Sequence, residues 1–356
     1  MDRMTPLGVL LFAALALPAA AEQSPHPVAP HDADELARMA LAGSPALAAL
    51  DQRLIAARAA AEPAGALPGP MLETMLQNVG ADRLTLGDEE MSMLAVELRQ
   101  SLPSARKRAA RRNAATAEEA LVAAEARVRR REILAEIREA WAVLYAIDAE
   151  RSTLASAAEL LELLGQVSAS RYATGGTDLA GAIRARLESA RLVEREIDLD
   201  AARALVLSRL ERLVDAPGGL EIPPVEVLPE ADFPAPGWPP DAVREAAPVA
   251  AARAAVDSAE RRAVAAREEL RPDLSVGGGA GYRGSLDPVV IVRFGVEWPA
   301  WKQSTLRPRV VAAEAESEAA RHDLRAAEAE ARAAAARAEA LRGQAERQLE
   351  IGRAHV

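Results

Sequence analysis

Cysteine is absent from all 356 residues. That excludes disulfides, thiolate metal sites, a cysteine nucleophile and an N-terminal lipid carried on cysteine. Aromatic residues are scarce, at 3%. A globular core of this length normally draws on large aromatic side chains. Alanine dominates instead, and alanine-rich helices let backbones approach closely, which suits long helices packed side by side better than a compact enzyme. Long apolar runs are missing too. No stretch reaches the roughly 18–20 apolar residues of a spanning helix, so a place in a membrane would have to rest on strands. Positive charge is in deficit, with a net charge of −10, and this argues against a nucleic-acid partner. The short basic run Arg106–Arg112 is soon followed by acidic residues and reads as a solvated or interfacial helix start.

Residues for chemistry are equally thin. The four histidines, His26, His31, His322 and His355, show no ligand spacing, so no metal site and no cofactor are expected. No nucleophile motif appears, and no catalytic residue is assigned. Gly279-Ala280-Gly281-Tyr282-Arg283-Gly284 fits the dinucleotide pattern GxGxxG, which requires a following helix. Ser285-Leu286-Asp287-Pro288 and another strand follow, so the segment reads as a hairpin. Met71, Met75, Met91 and Met93 group around a strand pair. Thioethers favour Cu(I), but the plainer reading is apolar filler at junctions.

What is present is ordered and repeated. Arg3, the apolar Leu7–Leu17 and Ala19-Ala20-Ala21 before Glu22 read as a cleaved export signal over residues 1–21. Ser44-Pro45 opens a helix that ends at Pro63, Pro68 and Pro70, and Ala247-Pro248 opens one that ends at Pro272. The Pro45–Pro70 and Pro248–Pro272 spacings are 25 and 24 residues. Each helix precedes two strand-like segments and then a long charged helix. A unit near 200 residues is too long for a solenoid repeat and reads as a duplicated domain. The expected division is residues 22–216 for the first repeat, a proline-rich linker at 217–240, and 241–356 for the second repeat. The fold class is α+β.

The strands carry the clearest physical signal. Leu94, Val96, Leu98 and Leu102 alternate with Ala95, Glu97, Arg99 and Ser101. Val290, Val292, Phe294, Val296 and Trp298 alternate with Ile291, Arg293, Gly295 and Glu297. Period-two geometry puts the apolar set on one face and the charged set on the other. Segments of about ten residues with such faces fit a transmembrane barrel, and equally a half-buried strand of a soluble sheet. Met71–Val79 and the glycine-rich Leu274–Arg283 are weaker strand partners. A proline-free helix is predicted over Ser104–Ser170, with Ile133, Ile137, Trp141, Leu144, Ile147, Leu154, Leu161 and Leu164 along one face. It would reach about 100 Å. Tyr172-Ala173-Thr174-Gly175-Gly176-Thr177-Asp178 then turns the chain into a second helix ending at Val214.

Taken in order, these segments resemble the TolC family of outer-membrane efflux proteins over nearly all of the chain after the signal. Ser44-Pro45-Ala46-Leu47 and Ala247-Pro248-Val249 look like the helix openings before each strand pair. Gln100-Ser101-Leu102-Pro103 and Glu297-Trp298-Pro299 look like the strand-to-coiled-coil junctions. Gly69-Pro70-Met71-Leu72-Glu73 with Leu76-Gln77-Asn78-Val79 resembles the branch serving heavy-metal pumps, although Ser104-Ala105-Arg106 lacks the glycine usual there before the lysine.

The resemblance implies a homotrimer in the outer membrane, each subunit giving four strands to one barrel and its helices to a periplasmic tunnel. The tunnel would meet a periplasmic adaptor and an inner-membrane pump. It implies that Glu97, Arg99, Arg293 and Glu297 line the lumen, and that Leu94, Val96, Leu98, Val290, Val292, Phe294, Val296 and Trp298 face lipid. Arg171, Tyr172, Gly175, Gly176, Thr177 and Asp178 would form the adaptor-contacting tip. Such a duct does no chemistry. A periplasmic adaptor and a periplasmic enzyme are the alternatives; an adaptor would insert its hairpin between β-rich halves, whereas here strands precede the helix in each copy. The second copy is expected to be incomplete, since about 110 residues follow Pro103 to Val214 but only 57 follow Pro299. The family's acidic gate residues would then lie beyond Val356.

Overall fold

The computed structural model describes residues 30, 32–83, 85–175, 179–216, 219–228 and 240–354. The expected signal at 1–21, together with His26, His31 and His355, lies outside these residues.

Two copies of one motif are laid out along the chain. The first begins with α1 (Ala33–Gly43), which the sequence reading passed over, and α2 (Pro45–Ala61). The Asp32 side chain accepts from Glu35 N at 2.6 Å and so satisfies one of α1's free amides. Pro45 opens α2 at a position whose N–H would have no helical partner anyway. A short 3-10 turn at Pro63–Gly65 leads to β1 (Met71–Gln77) and β2 (Met93–Leu102), and then α3 (Ala105–Ala173) and α4 (Leu179–Val214). The second copy repeats this after a five-residue helix α5 (Pro240–Arg244), with α6 (Ala247–Glu268), β3 (Asp273–Arg283), β4 (Leu286–Glu297) and α7 (Gln303–Ala354). The four strands form one antiparallel sheet in the order β1-β2-β3-β4. Its central pair, β2 with β3, joins the two copies.

α3 is the spine. Its 69 residues reach about 100 Å. Ser104 caps its start by accepting from Lys107 N at 3.2 Å. α2 and α6 pack on α3, α7 packs on α6, and α4 returns antiparallel against α3. The main apolar core lies where α1, the middle of α3, the end of α4 and the 219–228 segment meet. Ile133, Ile137, Trp141 and Leu144 supply α3's share at three- and four-residue spacing. Beyond Ile147 the predicted stripe thins: Leu154 and Leu161 are half-buried, and Leu164 is exposed in the isolated chain.

One ion pair straps the connecting segment to this core. Arg203 Nε donates to Asp148 Oδ1 at 3.1 Å across the α3–α4 seam. Arg203 Nη2 also donates to Ile222 O at 2.7 Å, and Asp148 Oδ2 accepts from Val225 N at 2.9 Å. The prolines of this region prevent helix, so side-chain groups satisfy backbone that no ladder could.

Candidate functional site

Register assigns the faces of the sheet. Residues directly opposite each other share a face, so Glu73, Glu97, Gly279 and Ile291 form one row, and Arg99, Gly277 and Arg293 the next. Ser275 and Gly295 continue that polar face with Ser101, and Asp273 sits opposite Glu297 at its end. The other face carries Leu72, Leu76, Leu94, Val96, Leu98, Leu274, Val276, Tyr282, Val290, Val292, Phe294 and Val296. Most of these are exposed in the isolated chain, Val290 by 83% and Phe294 by 81%. Gln100 falls on this apolar face by register, and its amide donates to Pro68 O at 2.7 Å and Ser101 O at 2.8 Å. Trp298 stands just past the end of β4, outside the ladder. It is exposed, as is Trp301 by 92%.

The charged side chains of the polar face are paired. Arg293 reaches Glu97 with two parallel bonds, Nε to Oε2 at 2.9 Å and Nη2 to Oε1 at 2.7 Å. Arg99 Nη2 donates to Glu73 Oε2 at 2.7 Å. Glu73 belongs to this group although the alternation in Met71–Gln77 was too weak to assign it. Lys302 Nζ donates to Glu297 Oε1 at 2.8 Å, and that bond raises the lysine's pKa. Met71, Met75 and Met93 share the polar face; Met71 and Met75 are exposed there rather than packed as filler. The Gly279–Gly284 segment is the end of β3 and a two-residue turn into β4, with Gly284 at φ +68°. It opens no helix.

Near the sheet's inner end, the basic start of α3 is an interface. Lys107 Nζ donates to Asp273 and to Arg271 O at 3.0 Å, with its side chain 2% exposed. Arg111 Nε donates to Glu269 Oε1 at 2.7 Å, and this bond raises the Arg111 pKa. Both contacts join the first copy to the second, and no local pattern announces them.

At the far end, α3 stops at Ala173 and Gly175 takes φ +91°, a conformation that suits glycine. Arg171, Tyr172 and Gly175 therefore sit at the end of the α3–α4 hairpin; Gly176, Thr177 and Asp178 lie outside the described residues. Arg195 holds Glu150 with two bonds at 2.6 and 3.0 Å, and Arg151 lies 3.0 Å from Asp200. Leu154, Leu161, Gly165, Ala185 and Leu192 line a groove of about 580 Å³ in the seam. Among the described residues no helix is long and apolar enough to cross a membrane.

No family model matches the chain, and no curated protein matches it by sequence. Solved structures do match it: the chain has the fold of TolC-type outer-membrane channels. The outer membrane protein VceC of Vibrio cholerae is 20% identical at a TM-score of 0.67, over 84% of this chain and 75% of VceC. The outer-membrane channel OprN is 19% identical at 0.69, over 90% of this chain and 76% of OprN. CusC, described for its folding and transmembrane channel formation, is 14% identical at 0.72, over 91% and 78%.

Proposed function

We propose that the chain is one subunit of an outer-membrane exit duct of a tripartite efflux pump, passing drugs or metal ions passively from the periplasm to the exterior. The observation that carries this reading is a four-stranded antiparallel sheet with one exposed apolar face and one ion-paired polar face, mounted on helices far longer than a globular domain needs. Three copies would close a barrel through the free edges of β1 and β4, since open strand edges are not tolerated in lipid. The apolar face would meet lipid and the polar face would line the lumen. The spacing of aromatics supports this. Tyr282 and Trp298, the latter one residue past the ladder, stand about ten residues apart along the strands, about 34 Å. At a tilt near 40° that is about 26 Å of depth, the height of a barrel's apolar band.

The hairpin ending at Arg171, Tyr172 and Gly175 would carry the adaptor contact, with an inner-membrane pump beyond it supplying energy. The duct does no chemistry. The Gly69–Val79 resemblance keeps metal ions within the substrate range. An adaptor is not favoured, because both strand pairs precede their long helices and merge into one sheet. Purified protein tests the reading directly. Detergent-dependent trimers that conduct ions in planar bilayers are expected; a soluble monomer without detergent would refute it.

A further inference from the structure

We infer that Glu73, Arg99, Glu97 and Arg293 form a charge-neutral belt across all four strands, and that Glu97 holds the duct's charge selectivity in balance at this level. The inference rests on reading the polar face as the lumen of an outer-membrane duct. Register explains why the belt exists. Glu73 and Glu97 are direct cross-strand neighbours, an arrangement of like charges that destabilises a sheet by itself. The arginines stand two residues further along, so each carboxylate takes a diagonal partner: Glu73 takes Arg99 at 2.7 Å, and Glu97 takes Arg293 at 2.7 and 2.9 Å.

The second pair is the unusual one, because β3 lies between its members. Arg293 crosses β3 where that strand presents Gly277 and Gly279 on this face. A Cβ at Gly279 would run into Val96 O and come within 2.8 Å of Glu97 Cγ. Gly277 leaves the neighbouring row open, its Cβ position 3.6 Å from Arg293 Cβ. Glu97 is thereby buried, 4% exposed, under a guanidinium that is 46% exposed. Two carboxylates and two guanidiniums per subunit cancel within a few ångströms. Their combined field fades within the solvent screening length of about 8–10 Å. Neutral, cationic and anionic solutes would then pass this level without being sorted by charge. Removal of one member would leave a ring of three unpaired charges of one sign, which would concentrate counter-ions in the lumen at this level.

Reversal potentials across a planar bilayer under a KCl gradient test this, with the full-length trimer and single substitutions. Glu97→Gln and Glu73→Gln should raise the chloride-to-potassium permeability ratio at least about twofold, and Arg99→Gln should lower it similarly. The exchange Glu97→Arg with Arg293→Glu should return the wild-type ratio. Should Glu97→Gln not assemble, the more exposed Glu73 and Arg99 variants decide the matter. Conducting trimers whose ratio is unchanged in both would overturn the belt alone. If the wild-type protein forms no conducting channel, the duct reading and the belt fall together.

Discussion

Lys107 Nζ lies 2.8 Å from Asp273 Oδ1, although 166 residues separate the two in the chain. One residue opens the long helix of the first copy and the other opens the strands of the second, so a single contact fixes the two copies against each other. A buried ammonium is stable only with partners, and Arg271 O supplies a second. Lys107→Ala would remove the cation bonded to Asp273 and leave only Arg111 and Lys302 acting on it from further off, at a cost of up to about 3–5 kcal/mol. A lower thermal midpoint of the detergent-solubilised trimer is the expected readout. Lys107→Met with Asp273→Asn should recover part of the loss, because no charge is then stranded. If the single and double variants melt together, the pair does not couple the copies.

The glycines of β3 make a graded series. Gly279→Ala forces a Cβ against Val96 O and Glu97, both in a hydrogen-bonded neighbour, and overpacking of this kind costs about 1–3 kcal/mol. Gly278 faces the other side, where the nearest atom to a new Cβ is Ile291 O at 3.9 Å. Gly278→Ala should be neutral or slightly stabilising, since alanine restricts the unfolded chain. Trimer yield and unfolding midpoints should rank Gly278→Ala above Gly279→Ala. The reverse order would show that the register of β2 on β3 is wrong.

Much of this architecture was legible in the sequence, for physical reasons that differ by element. Period-two alternation is local, so Leu94–Leu102 and Val290–Glu297 gave up their faces without a structure. Pro45, Pro248 and the Gly175 turn marked helix boundaries because each constrains its own backbone. Trp298 was placed one residue too far into the strand, because alternation alone does not locate a strand's end. Glu73 escaped because methionines blur the pattern of β1. Lys107, Asp273 and the Asp148–Arg203 strap were invisible for a different reason: their partners are distant in sequence, and only packing brings them together.

Acid should loosen the α3–α4 hairpin around Glu150. The hydrogen bond from Arg195 holds the Glu150 carboxyl below the usual glutamate range of about 4.3. A group whose folded pKa is depressed contributes stability above its unfolded pKa, and loses it as pH falls through the folded value. Stability of the hairpin should therefore be level from neutral pH to about pH 5 and decline below about pH 4. Hydrogen exchange at amides flanking Glu150 would follow it. Glu150→Gln should flatten that decline; an unchanged profile would assign it to other carboxylates.

Val292→Arg should block membrane assembly far more than Arg99→Gln. Val292 is 67% exposed on the apolar face, and arginine near a bilayer midplane costs about 2–4 kcal/mol per subunit. Arg293→Val would be a poor control, since Glu97 would be buried without its guanidinium. Arg99 is bonded to Glu73, which is itself partly exposed, and can be neutralised more gently. Folded trimer recovered from outer membranes separates the cases. Equal losses from Val292→Arg and Arg99→Gln would refute the assignment of lipid and lumen faces.

The end of the hairpin should be where the adaptor binds. Tyr172 is exposed in the last turn of α3, and Gly175 turns the chain just beyond it. Glu150 lies 22 residues earlier on the same helix, about 33 Å away along its axis. A partner docking end-on would meet the first and not the second, whereas one lying along the seam would meet both. Single cysteines at Tyr172 and Glu150 suit a crosslinking test, because these 356 residues hold none to compete. With short crosslinkers and cells expressing the whole pump, Tyr172→Cys should trap the adaptor and Glu150→Cys should trap much less. The comparison is internal, since both variants sit on one helix at one expression level. Stronger trapping from Glu150→Cys would move the contact to the flank of the hairpin and refute the tip.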